Sequence, residues 1–150
     1  MNNKAAEHHI FVVVSKLNRD YSIFVEVKIK DTRSTYHKKC MKTLQHSIIF
    51  GMKNLADHFK FGYKEYRSIQ YVWGRNSHPT GLNAIHNMVL HEYAHVLQTD
   101  RYERRSGSVH NHEFVGCLYE LIKKYSYYEK SEYPQINNAR SRLNKMLARR

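Results

Sequence analysis

Residues 91–95 read His-Glu-Tyr-Ala-His, an instance of H-E-x-x-H. On a helix, His91 and His95 stand at i and i+4. Their imidazoles leave one face a turn apart, where both can grip a single zinc ion. Glu92 lies next to the first ligand and is placed to take a proton from an attacking water rather than to bind the metal. In a chain with 11 histidines the pattern alone is a weak signal, and its surroundings must support it. Leu90, Ala94 and Leu97 form an apolar stripe at helical spacing, with Val89 and Val96 beside it. No Gly or Pro interrupts from Leu82 to Thr99, and Pro79 and Thr80 supply a start signal.

Two histidines leave such a site incomplete, because a catalytic zinc usually has three protein ligands and one open position. The downstream candidates are His110, His112, Glu113 and Glu120. The metzincin continuation is absent, since Asp100-Arg101-Tyr102 follows instead. If a helix begins at His110, His112 points about 200° away from it, so only one of the two can face the metal.

The elements that must hold these residues are expected to be α+β. Residues 9–16 are β-branched and aromatic and read as a strand; residues 21–30 alternate, with Ile23, Val25, Val27 and Ile29 on one face. Together they make an N-terminal β-hairpin. From Thr35 to about Phe59, Met41, Leu44, Ile48, Met52, Leu55 and Phe59 recur at three and four residues, the pattern of one long amphipathic helix with Gly51 as a close-packing point. Residues 66–73 read as a short edge strand, and 74–81 as the loop into the H-E-x-x-H helix. A polar loop spans 100–108, a helix follows from about Val109–Phe114 to Tyr127, and a last basic helix covers about 134–150. The remaining histidines, His8, His9, His37, His46, His58, His78 and His86, are expected at the surface.

Composition favours one domain over 1–150, long enough to bury a core. No run of 18 or more apolar residues is present and the first residues lack the apolar stretch of a signal peptide, so neither a membrane span nor secretion is expected. Cys40 and Cys117 form no C-x-x-C and read as free thiols of an intracellular protein, cytoplasmic or associated with the nucleoid or nucleus. The net charge of +12 favours a polyanion, most simply nucleic acid bound without sequence preference. Two blocks carry five basic residues each and no acid, 33–56 and 134–150. A rival expectation is a basic nucleic-acid-binding or mobile-element accessory protein whose zinc is structural or inactive.

HEYAH followed, after a short polar loop, by His110-Asn111-His112-Glu113-Phe114 resembles the SprT-like (Spartan-type) zinc metallopeptidases over about residues 68–125. The resemblance implies a small zincin-like domain and a Zn2+ held by His91, His95 and His110. It also implies Glu92 as general base, Phe114 as the aromatic anchor of the next helix, and a protein or peptide substrate, in some members a DNA-associated protein. The chain departs from the family in three places. The cysteines cannot make the zinc ribbon that often follows, a hairpin is expected where the family opens with a helix, and the strand before the active helix is short or absent in 74–81.

Overall fold

The computed structural model describes residues 1–65, 72, 79–102 and 107–125. The chain opens with a helix, not a strand: α1 spans Asn3–Tyr21. Ala6, Ile10, Val14 and Leu17 are its buried stripe, and the β-branched Val12 is 52% exposed. The helical period of the buried residues thus overrides the local β preference of Phe-Val-Val-Val. Asn2 caps the start, its side-chain oxygen accepting from Ala5 N at 3.2 Å. Ser22 closes the end in the left-handed region at φ 53°. The expected N-terminal hairpin is therefore absent, and only its second half survives, as β1 (Val25–Lys30).

The expected long helix over 35–59 is also corrected. The structure has β2 (Tyr36–Lys39), β3 (His46–Gly51) and a shorter helix α2 (Met52–Phe61). Ser47-Ile48-Ile49-Phe50 is a short apolar run buried on both faces, and periodicity alone cannot tell such a strand from a piece of buried helix. Met41 and Leu44, read as core, lie in the β2–β3 loop at 79% and 62% exposure. The strands form one mixed sheet in the order β1-β3-β2, with β1 parallel and β2 antiparallel to β3. Gly51 is a close-packing point at the end of β3. A Cβ there would lie 2.6 Å from the carbonyl oxygens of Thr32 and Ser34, so the chain between β1 and β2 can cross only over a glycine.

The central element is α3 (Gly81–Arg101), buried along almost its whole length from Gly81 to Leu97. Thr80 is its N-cap residue, as the start signal implied. Helices α1, α2 and α4 (His112–Tyr125) all pack on it. Tyr93 is fully buried, and its hydroxyl donates to Asn18 Oδ1 at 2.9 Å while Asn18 Nδ2 donates to Val25 O at 3.3 Å, tying α3 to α1 and β1. The expected strand at 66–73 lies outside the described residues except for buried Val72, and the C-terminal basic helix lies outside them entirely. Cys40 is exposed, Cys117 is buried, and both are free. No described helix is long and apolar enough to cross a membrane.

Candidate metal centre

His91 and His95 sit in mid-α3, where burial of the surrounding apolar stripe fixes the helix and so fixes their directions. His110 approaches from the segment ahead of α4. Its backbone N donates to Ser108 Oγ at 3.1 Å, and Asn111 next to it caps α4, its Oδ1 accepting from Glu113 N and Phe114 N at 3.1 Å each. His91, His95 and His110 each offer a ligand atom, and those atoms lie within 4.8 Å of one another. Such a set could hold a metal ion. Among the described residues it is the group of three or more His, Cys, Asp or Glu side chains with that convergence.

The donor set suits a small divalent cation. His91 Nε2 and His110 Nε2 face each other at 3.3 Å. Two imidazole nitrogens on a tetrahedral zinc, each 2.0–2.1 Å from it, stand about 3.3–3.4 Å apart. Outward ring nitrogens are occupied. His91 Nδ1 lies 2.9 and 3.0 Å from the two oxygens of Glu65, which also accepts from Tyr63 Oη at 2.8 Å. His95 Nδ1 lies 3.3 Å from Gln98 Oε1. The direction of that amide is set by its other end, because Gln98 Nε2 donates to Val109 O at 2.8 Å and to Asn111 Oδ1 at 3.1 Å. Both histidines therefore carry the proton on Nδ1 and turn a bare Nε2 inward, the tautomer a metal requires. Phe114 closes one side, stacked on His95 at 4.4 Å between ring centroids and edge-on to His91 and His110 at 4.9 and 5.0 Å.

Burial shapes the protonation of the site. It pushes His95 down to about 3, with the neighbouring His91 and His110 adding to the effect. Burial likewise lowers His110, and the proximity of His91 lowers it further. Both rings thus favour the neutral form that can ligate. Glu92 is raised to about 7, by burial first and the Glu65 charge in addition, with His91 opposing. It lines a cavity of about 190 Å³ together with Thr35, Asn54, His58, Tyr63, Lys64, Glu65, Met88 and His91.

The rival third ligands fall elsewhere. His112 is exposed at the first position of α4. Glu120 is engaged by Arg101 at 2.9 Å and by Tyr21 Oη at 2.8 Å. Glu113 does not join the converging group. Two histidines expected at the surface are buried instead, His46 at 3% and His86 at 5% exposure. Each is accommodated by another imidazole: His37 Nε2 lies 2.9 Å from His46 Nδ1, and His9 Nε2 lies 3.0 Å from His86 Nδ1.

Glu65 and Gln98 were not singled out in the sequence. Gln98 follows His95 by three residues, a helical neighbour spacing that could have flagged it. Glu65 lies 26 residues before His91 and belongs to no motif. It reaches the site because Tyr63 N donates to Pro79 O at 2.8 Å, pinning the segment after α2 beside the start of α3. No protein-family model, curated protein or solved structure matches the chain.

Proposed function

We propose that the chain is a zinc-dependent peptidase of the SprT-like type. The observation that carries this reading is the convergence of His91, His95 and His110 beside a buried Glu92. The helix at the start of the chain also supports it, since the hairpin that set the sequence apart from that family is replaced by α1. A small α+β core with one mixed sheet beside the motif helix is compatible with a zincin.

His91, His95 and His110 would hold the metal, with Glu65 and Gln98 fixing the tautomer of the first two. Zinc bound there would polarise the scissile carbonyl and acidify a water. Glu92 accepts the proton of the attacking water at its carboxylate and passes it to the departing amine, a role suited to a group poised near neutrality. The edge strand expected at 66–73 would offer an extended substrate main-chain hydrogen bonds, but it lies outside the described residues. Among the described residues the strand at the sheet edge beside α3 is β2, so an extended peptide pairs there through main-chain hydrogen bonds.

Elemental analysis of the purified protein together with cleavage of a denatured, fluorescently labelled protein tests the proposal. About one zinc per chain and zinc-dependent cleavage are expected. Glu92→Gln should keep the zinc and lose cleavage by at least about 10²-fold. Parent-like cleavage by that variant would remove Glu92 from the mechanism. Full zinc occupancy with no cleavage, with or without DNA present, would leave a structural metal site.

A further inference from the structure

The cavity beside Glu92 is lined from both α2 and α3. Asn54 and His58 stand one turn apart on α2, Met88 and Glu92 one turn apart on α3, and all four border the same space of about 190 Å³. Each of the two polar α2 side chains is held at one end. Thr35 Oγ1 donates to Asn54 Oδ1 at 2.8 Å, which turns the amide Nδ2 away from Thr35. Thr35 is itself fixed, since its Oγ1 accepts from Gly51 N at 3.1 Å. His58 Nδ1 donates to Gly62 O at 3.0 Å across the end of α2, so the neutral ring keeps Nε2 as an acceptor. Among the described residues no hydrogen bond engages Asn54 Nδ2 or His58 Nε2.

We infer that this cavity is the subsite for a carboxamide side chain, Gln or Asn, on the substrate residue flanking the scissile bond, with Asn54 Nδ2 donating to its carbonyl and His58 Nε2 accepting from its amide. The subsite rests on the peptidase reading, whose substrate class it names. Its place along the substrate follows from the shared lining. His91 and Glu92 border the cavity, so a side chain that enters it belongs to a residue next to the bond those two groups address. Side chains at i and i+4 start about 5–6 Å apart at Cβ, a span bridged by a group that accepts at one end and donates at the other. The volume, the share of roughly six liquid waters, admits one side chain of Gln length. Other side chains fit less well. An apolar one leaves both polar ends without a partner. An anionic one meets the carboxylates of Glu65 and Glu92, and a cationic one meets Lys64, while Glu65 is already engaged by His91 and Tyr63. The carboxamide supplies both hydrogen-bonding functions and carries no charge to desolvate.

Cleavage of a peptide library by the zinc-loaded full chain, with cut sites read by mass spectrometry, tests the subsite. Gln and Asn should be enriched at one position flanking the cut. In peptides that differ only there, kcat/KM for Gln should exceed that for Leu and for the isosteric Glu by roughly 10- to 30-fold, the effect of two neutral hydrogen bonds. Asn54→Asp keeps an acceptor for Thr35 and replaces the Nδ2 donor with a second acceptor, so the preference should pass from Gln to Lys. His58→Phe keeps a ring against Tyr63, where the centroids stand 5.4 Å apart, and should lower the Gln-to-Leu ratio about fivefold. Zinc content should match the parent in both variants. If His58→Phe fails to fold because the Gly62 contact is lost, Asn54→Asp decides alone. Cleavage with no difference among Gln, Leu, Glu and Lys refutes the subsite and leaves the peptidase. A Gln preference that survives in Asn54→Asp places recognition elsewhere and refutes the assignment. A parent preference for Glu or Lys overturns the carboxamide class. No cleavage of any peptide in the library removes the peptidase reading, and the subsite with it.

Discussion

The protein uses histidine in two opposite arrangements. In the pairs His9–His86 and His37–His46 the rings meet head to tail, Nε2 of one against Nδ1 of the other. At the candidate metal centre His91 and His110 meet head to head, Nε2 against Nε2. A head-to-tail pair is satisfied by one proton per link. His86 Nε2 donates to Tyr125 O at 2.6 Å, so its Nδ1 accepts from His9, and the two rings clamp three helices. A head-to-head pair has no such solution unless a proton or a cation lies between the rings. The same side chain therefore reads as structural or as ligating according to which nitrogen its outer partner occupies.

Removing a converging imidazole should have the largest effect. His95→Ala and His110→Ala are expected to weaken zinc binding by about 10³-fold or more and to lower the melting temperature of the zinc-loaded protein. His112→Ala should leave both unchanged. A chelator competition titration checks this, and tight zinc in His110→Ala with loss in His112→Ala would transfer the ligand role to His112.

Acid stability should follow the head-to-tail pair. Burial pushes His86 down to about 4, against an ordinary value of 6.5. Between those values the unfolded chain binds a proton that the folded chain refuses, so stability is present above about pH 6.5 and is lost as pH falls toward 4. The shift corresponds to roughly 3 kcal/mol. Urea melts of the metal-free protein should show this slope, and His86→Gln should remove its own share of it, leaving that of His95 and His37, while lowering stability at pH 7. An unchanged slope in that variant would place the acid sensitivity elsewhere.

The groups holding the ligands should have smaller effects. Glu65→Gln and Gln98→Ala are each expected to weaken zinc about 10- to 100-fold without abolishing it. Competition with a chromogenic chelator measures the loss. Affinity unchanged in both variants would show that ring orientation is set by Phe114 and packing alone.

Much of the site was legible because it is local. His91, Glu92 and His95 lie within a helical turn and a half of one another, and a stripe such as Leu90, Ala94 and Leu97 specifies that helix without knowledge of the rest of the chain. Thr80 as the start position of α3, although its side chain makes no capping hydrogen bond, and β1 within 21–30 were readable for the same reason: helix starts and strand alternation are properties of a few adjacent residues. Elements whose pattern fits two periods were misread. Residues 9–16 are β-branched yet bury a helical stripe, and the apolar residues of 41–59 divide between a loop, a strand and a helix.

What no spacing in the chain could settle is where distant segments meet. His110 and His112 are near neighbours of the same type, and only the fold of the segment before α4, held by Ser108, Gln98 and Asn111, turns one toward His91 and leaves the other in solvent. Glu65 reaches the site because the segment after α2 is held beside α3, with the Tyr63–Pro79 backbone hydrogen bond and the Tyr63 hydroxyl among its contacts. The burial of His46 and His86 depends likewise on partners 9 and 77 residues away. Local residue types determine which groups are chemically able to ligate, accept a proton or cap a helix. Which of them share a cavity depends on packing of the whole core, whose free energy is distributed over many long-range contacts and is written in no short stretch of sequence.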